Sequence, residues 1–295
     1  MKNSILTAFG AIALIGAAFG LGTTLAVLPH HAQTAAAADA APMPQISLDP
    51  STLLAQAAIV YDPASGEILY QKNANTALPL ASLTKLMTAE AVLESRSPST
   101  EVTITPDDLT PDGDWGFKLG DRANLGDLLR FGLVASSNDA MAAAASSLGS
   151  GYLDAMNAIA QKLNLTKTYF SNSTGLDLST DTAGAYGSAF DVARLLSGFY
   201  KQYPALLEHT TEPTVSITVG GRTLTAKATA APLQSVPGFA GGKTGFTDLA
   251  GGNLAAVFDI DIGHPVVAVV MHSTETGRFA DIRTLIEKVR ATETQ

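Results

Sequence analysis

Cysteine is absent from the 295-residue chain, which removes disulfide scaffolds, thiol nucleophiles and cysteine-ligated metals from consideration. The absence does not fix the compartment, because an exported protein with a sizeable core can do without disulfides. Charge is sparse at 15% of residues, and positive charge is in the minority: 18 Lys and Arg stand against 27 Asp and Glu, for a net charge of −9. That balance argues against nucleic acid as a partner, which needs a basic footprint, and the scattered cations form no polybasic membrane patch. Several chemical signatures are missing as well. His30, His31, His209, His264 and His272 have no metal-ligand spacing, and no G-x-S-x-G supplies a hydrolase elbow. Asp112 and Asp114 do not continue as a calcium loop and read as turn residues. Lys243-Thr244 is no phosphate loop, because Pro237 stands where that motif needs its first glycine. What is abundant is hydrophobic residues, 46% of the chain, enough for one large globular unit or two packed lobes.

The first long apolar run extends from Ile5 to Leu28 without a charge and is preceded by Lys2. It exceeds the roughly 7–15 residues of a secretory h-region and matches the ~20 that span a bilayer. The positive flank puts the N-terminus in the cytoplasm and the rest outside. "AQTAAAADAAPMP" follows as an Ala-rich tether with A-x-A triplets that a signal peptidase could cut. Residues 1–50 are therefore expected to be an uncleaved anchor or a cleaved signal with its linker, and length leans towards the anchor. In either case the chain is expected to be exported.

The folded domain is expected over 51–295, with packing from about Leu53. "AAIVYDPASGEILYQKN" predicts two strands around a turn at Asp62 to Gly66. Helical spacing marks "NLGDLLRFGLVASSNDAMAAAASSL", "GYLDAMNAIAQKLNL" and "SAFDVARLLSGFYKQY". Alternation then returns in "TVSITVGGRTLTAKATA" and in "GGNLAAVFDIDIGHPVVAVVMHS", and "RFADIRTLIEKVRATETQ" closes as an amphipathic helix. Strands at both ends with helices between predict an α+β fold: one antiparallel sheet built from both chain ends, with a mostly helical lobe inserted at about 105–207. A groove between such lobes is a natural site.

Three short stretches carry chemistry. In "LPLASLTKLMTAE", Ser82 and Lys85 sit three apart beside an apolar stripe, so a helix puts both on one face. Alone, Ser82 reads as a helix cap and Lys85 as a snorkelling side chain. "ASSNDA" holds Ser136 and Asn138, which alone read as junction polars. "GGKTGFTDLAGGN" places Lys243, Thr244 and Gly245 just before a strand-like run, where glycines permit close backbone approach or simply a hairpin corner. Together they form S-x-x-K from Ser82, then S-x-N from Ser136, then K-T-G from Lys243, in that order along the chain. That ordered set is the signature of class A β-lactamases and penicillin-binding proteins.

The chain resembles the low-molecular-mass penicillin-binding proteins of the serine D-alanyl-D-alanine carboxypeptidase type. The likeness runs from about Ala57 to Val289 and also takes in "KLGDRANLGDLLRFGLVASSNDA" and "YFSNSTGLD". It implies a two-lobed serine acyltransferase fold with no cofactor. Ser82 is then the expected nucleophile and Lys85 its base, provided that burial and a second cation, Lys243, depress the lysine pKa. A helix starting at Ser82 aims backbone N–H groups at a developing oxyanion. The resemblance assigns the oxyanion hole to the backbone N–H groups of Ser82 and Phe246, the proton relay to Ser136, and the substrate amide to Asn138. It assigns the terminal carboxylate to Lys243, Thr244 and Gly245, with Arg278 beside them or in a surface ion pair. Peptidoglycan stem peptides ending in D-Ala-D-Ala are the implied substrate, and β-lactams the implied covalent inhibitors.

Departures from the family pattern are Ala228-Thr229-Ala230, where relatives commonly carry asparagine, and Phe246 in place of histidine. The chain also stops soon after its last helix, which favours an N-terminal anchor over a C-terminal one. A class A β-lactamase is the near rival, but Glu208 and Glu212 lie outside the loop where a deacylating glutamate is needed. A DD-endopeptidase shares all three motifs, and a penicillin-binding sensor is the non-enzymatic alternative. The sequence carries no signal of oligomeric state.

Overall fold

Turn chemistry and burial together set the layout of the molecule, a computed structural model that describes residues 45–113, 115–261 and 263–293. In chain order the strands are β1 (Ala57–Tyr61), β2 (Ile68–Lys72) and β3 (Leu78–Pro79), followed by helix α1 (Thr84–Ser95). Then come β4 (Glu101–Thr103), β5 (Arg122–Asn124), α2 (Leu125–Val134), α3 (Asn138–Ser146) and α4 (Tyr152–Lys162). The short strands β6 (Tyr169–Phe170) and β7 (Ala185–Gly187) precede α5 (Ala189–Gln202) and α6 (Pro204–Glu208). The chain finishes with β8 (Thr214–Val219), β9 (Arg222–Lys227), β10 (Phe239–Thr247), β11 (Gly251–Asp261), β12 (His264–Ser273) and α7 (Gly277–Glu293). The N-terminal apolar segment, its linker and Asp114 lie outside the described residues. No helix among the described residues is long and apolar enough to cross a membrane.

One antiparallel sheet is built from both ends of the chain, in the order β10-β11-β12-β1-β2. Its central strands are buried on both faces, which is why they read as continuous apolar runs such as "VVAVV". Successive side chains still alternate. Ile59, Val257, Val267 and Val269 join the core shared with the helices, whereas Val60, Phe258, Val266 and Val270 join the core under α7. The β1–β2 turn is the predicted one: Asp62 accepts from the backbone N–H of Ala64, and Gly66 takes φ 79°. Asp281 ties α7 back to the start of the fold by accepting from the N–H groups of Leu54 and Ala55 and from the Ser273 hydroxyl.

Four expectations change. Packing begins upstream of Leu53, since Ile46 is buried and donates its N–H to Leu69 O. β8 and β9 form their own two-stranded sheet, packed on α2, because only one face of β8 is apolar. Lys243-Thr244-Gly245 lies inside β10 rather than before a strand, because pairing with β11 imposes extended geometry on residues of low strand propensity. Finally, α5 packs on β1, β11 and β12 as well as on α1, so the last long helix of the predicted inserted lobe lies on the sheet.

Helix α1 runs through the middle, and Thr84 to Val92 are buried without a break. A helix covered on every side is a core helix. Any lysine in it is dry whichever face it occupies.

Candidate active site

The approach to α1 is a strained elbow. After β3 the chain makes a 3-10 turn at Ala81–Leu83 before entering α1, so Ser82 caps nothing. Ala81 takes φ 47°, a left-handed conformation that costs a non-glycine residue about 1–2 kcal/mol. Surrounding contacts hold it there. The Asn253 amide on β11 donates to the carbonyls of Pro79 (2.9 Å) and Leu80 (3.0 Å). Gly175 lies against the Ala81 carbonyl, where a Cβ would come within 1.8 Å of the oxygen. Gly245 on β10 is also close: a side chain there would reach 3.1 Å from Ser82 N. The edge strand therefore runs directly beside the backbone N–H of Ser82.

Lys85, one turn on, is fully buried and donates to Ser82 Oγ (2.7 Å), Asn138 Oδ1 (2.7 Å) and Thr174 O (3.0 Å). Three acceptors satisfy an ammonium. When the proton leaves, the Ser82 contact can reverse, so that the serine O–H donates to a neutral amine. Burial makes that loss accessible by pulling Lys85 from the usual 10.5 to about 7.

Lys243 comes in from β10, also fully buried, and donates to Ser136 Oγ (2.8 Å) and Thr244 O (2.8 Å). Burial, then repulsion from Lys85 and Arg278, holds it well below the lysine range. The predicted second cation is thus present, but burial is what lowers Lys85, and the repulsion falls on Lys243. Ser136 sits between α2 and α3 with φ 61°, and Ser137 caps α3 by accepting from Ala140 N. Asn138 bridges Lys85 to the Asp112 carbonyl, to which its amide donates at 2.6 Å. Arg278, in the first turn of α7, is 7% exposed and donates from Nη1 to Gly245 O (2.6 Å), with its guanidinium over the Phe279 ring. Its Nε is buried without a hydrogen-bond partner among the described residues. The surface ion pair considered for Arg278 is not formed among the described residues. Phe246 is 46% exposed, at the mouth of a cavity of about 540 Å³ lined also by Pro111, Asp112, Leu176, Asp177 and Asp248.

The fold thus brings every residue of the three motifs, with Arg278, to one place. Sequence reasoning passed over the residues that hold them. Asn253 is a fully buried amide inside an apolar strand, and an asparagine in "GGNLAAV", where strands disfavour it, was the available signal. Asn172 shapes the loop that supplies Thr174 O by accepting from the N–H groups of Thr174 and Gly175. Thr229 accepts from the Thr244 hydroxyl at 2.7 Å. These last two lie in stretches already singled out, "YFSNSTGLD" and Ala228-Thr229-Ala230, but local pattern gave neither a role, because their partners are backbone atoms or stand on another element.

The arrangement is one a serine acyl transfer can use: a hydroxyl on a dry, easily deprotonated amine, an adjacent backbone N–H at a turn, and a second amine–hydroxyl pair nearby. The family model for D-alanyl-D-alanine carboxypeptidase matches residues 44–275. A D-alanyl-D-alanine endopeptidase of Escherichia coli is 31% identical over 91% of this chain and 87% of its own length. Another, from Pseudomonas aeruginosa, is 34% identical over 61% of this chain, which spans 58% of that relative. A penicillin-binding protein of Listeria monocytogenes, solved in its ampicillin-bound form, superposes with TM-score 0.72 at 33% identity, covering 83% of this chain and 99% of that one. The chain belongs to the D-alanyl-D-alanine carboxypeptidase family, the low-molecular-mass penicillin-binding proteins.

Proposed function

We propose that the protein removes the terminal D-Ala from peptidoglycan stem peptides through an acyl-Ser82 intermediate, and that β-lactams acylate the same serine. The observation that carries this is the pairing of Ser82 with a buried, low-pKa Lys85 beside the Lys243–Ser136 pair. Neutral Lys85 takes the Ser82 proton as Oγ attacks the carbonyl of the penultimate residue. The oxyanion forms between the N–H groups of Ser82 and Phe246. Ser136, in contact with Lys243 Nζ, passes a proton to the leaving D-Ala nitrogen as the C–N bond breaks. Water then cleaves the Ser82 ester and regenerates the hydroxyl. Lys243, Thr244 and Arg278 hold the terminal carboxylate against Gly245, and the Asn138 amide orients the acyl side of the peptide.

Lys243 and Arg278, packed beside Lys85, argue for an anionic ligand. Burial lowers the pKa of both, and repulsion from Lys85 and Arg278 lowers that of Lys243 further. A substrate carboxylate relieves that repulsion. The apolar N-terminal run and a substrate polymer that lies outside the membrane both support an extracytoplasmic location, either periplasmic or on the outer face of the cytoplasmic membrane.

Endopeptidase action on cross-linked peptides is a second reading, favoured by the names of the Escherichia coli and Pseudomonas aeruginosa relatives. A β-lactamase reading is weaker, because Glu212 pairs with His209 at the surface and Glu208 is an exposed residue at the end of α6. Mass spectrometry after incubation with a pentapeptide muropeptide and, separately, a cross-linked dimer decides between these. Loss of one alanine from the first is expected, and splitting of the second identifies endopeptidase activity. Trimming that survives Ser82→Ala overturns the assignment of the nucleophile.

A further inference from the structure

Thr229 lies outside all three motifs, in the link between β9 and the turn at Ala231–Leu233. We infer that it is a positioning residue that sets, and can reverse, the direction of the Thr244 hydroxyl. The inference rests on the reading of Lys243 and Thr244 as the anchor of the substrate's terminal carboxylate.

Three hydrogen bonds define its place. The Thr229 N–H donates to Val134 O at 3.0 Å, and the Thr229 hydroxyl donates to the same carbonyl at 3.3 Å. The Thr229 oxygen in turn accepts from the Thr244 hydroxyl at 2.7 Å. Val134 ends α2, just ahead of Ser136. One side chain therefore joins the carbonyl behind the second motif to the hydroxyl of the third. Its neighbours Ala228 and Ala230 are buried and bring no polar side chain, so the polar contacts of this segment rely on Thr229.

The chain of hydroxyls runs inward, from Thr244 to Thr229 to Val134 O. Thr244 is 3% exposed, and its hydrogen is committed to Thr229. A carboxylate brings no hydrogen and needs a donor. If Thr244 turns its O–H to the carboxylate, its short contact with Thr229 is left without a proton unless Thr229 supplies one. It can do so cheaply. Its own bond to Val134 O is the long one, and that carbonyl keeps the Thr229 N–H, so no buried acceptor is orphaned. Rotation of two hydroxyls reverses the chain with no heavy atom displaced and no proton transferred. In the reversed state Thr229 donates to Thr244, which strengthens the bond Thr244 donates onward.

Thr229→Val tests this, because it keeps the shape and the backbone N–H bond and removes only the hydroxyl. Two acyl-D-Ala-D-Ala peptides are compared, one with a free C-terminal carboxylate and one amidated there. For the carboxylate substrate kcat/KM is expected to fall about fivefold, the scale of one neutral hydrogen bond, mostly through KM. The amide should change little, so the carboxylate preference also falls about fivefold. Thr229→Ser, which restores a hydroxyl, should restore the preference. A residue that only supports the turn would lower both substrates together. An unchanged preference in Thr229→Val, or a failure of Thr229→Ser to restore it, overturns the inference; Thr229→Ala serves in place of valine if that variant does not fold. Wild-type protein that releases no D-Ala and is not acylated by benzylpenicillin overturns the functional reading itself, an outcome distinct from an unchanged preference in an active enzyme.

Discussion

Lowering the pH from 8 to 6 perturbs Lys85 more directly than any substitution. With its pKa at about 7, the neutral fraction falls from about nine-tenths at pH 8 to about one-tenth at pH 6, and the rate constant for Ser82 acylation should fall about tenfold with it. Above pH 8 the profile should level. A lysine at its ordinary value would behave differently, with a rate that climbs about tenfold per unit through the whole range and never levels below pH 9. The assay is stopped-flow acylation by a chromogenic β-lactam at constant ionic strength from pH 5.5 to 9. Because Lys85 and Lys243 interact, the apparent pKa belongs to the pair, and a second measurement identifies the base. Lys85→Arg keeps a positive charge at every pH but cannot release its proton, so acylation should drop about 10²–10⁴-fold and lose the inflection. A flat profile, a climb without a plateau, or near-normal acylation by Lys85→Arg would refute the assignment of Lys85 as a buried neutral base.

Two further outcomes follow from buried groups. Glu90 on α1 is 5% exposed, its Oε2 has no hydrogen-bond partner among the described residues, and burial, then Glu94, raises its carboxyl from 4.5 to about 7. The folded state thus keeps a proton that the unfolded chain has released, so stability falls as pH rises from 4.5 to about 7. Glu90→Gln should remove that slope, stabilising the protein by about 2 kcal/mol at pH 8 and little at pH 4, measured by urea unfolding; an equal gain at both values would mean that titration is not the cause. Gly175→Ala should destabilise by about 3 kcal/mol or more, since it combines backbone strain with a steric clash. The residue has φ 82° and its Cβ would sit 1.8 Å from Ala81 O and 2.6 Å from Thr84 Oγ1. It should also slow acylation, because the displaced carbonyl belongs to the residue before Ser82; normal stability in this variant would mean that the elbow yields easily.

The identity of the chemistry was legible along the chain. Serine and lysine three apart, with S-x-N and K-T-G in order downstream, name the reaction type, because each motif places its groups by local geometry that one helix, one junction or one strand can supply. Alternating and helical periodicities likewise marked nearly every long element, and the pattern of strands at both ends with helices between them determined that the sheet closes from the two termini. Local pattern does not record distances between motifs. Whether Lys85 is dry depends on α1 being covered on every side, and that is decided by α2, α3, α4 and α5 packing around it. The same holds for the groups that aim the site. Asn253 reaches the Pro79 and Leu80 carbonyls from the far end of the chain, and Thr229 meets Thr244 only because β10 is drawn to the sheet edge by β11. The sequence by itself determined which residues are the candidates to carry the reaction. Only the tertiary structure decided their protonation, because desolvation is set by neighbours that are distant in sequence, and their aim, because a hydrogen bond has direction only once both partners are in place.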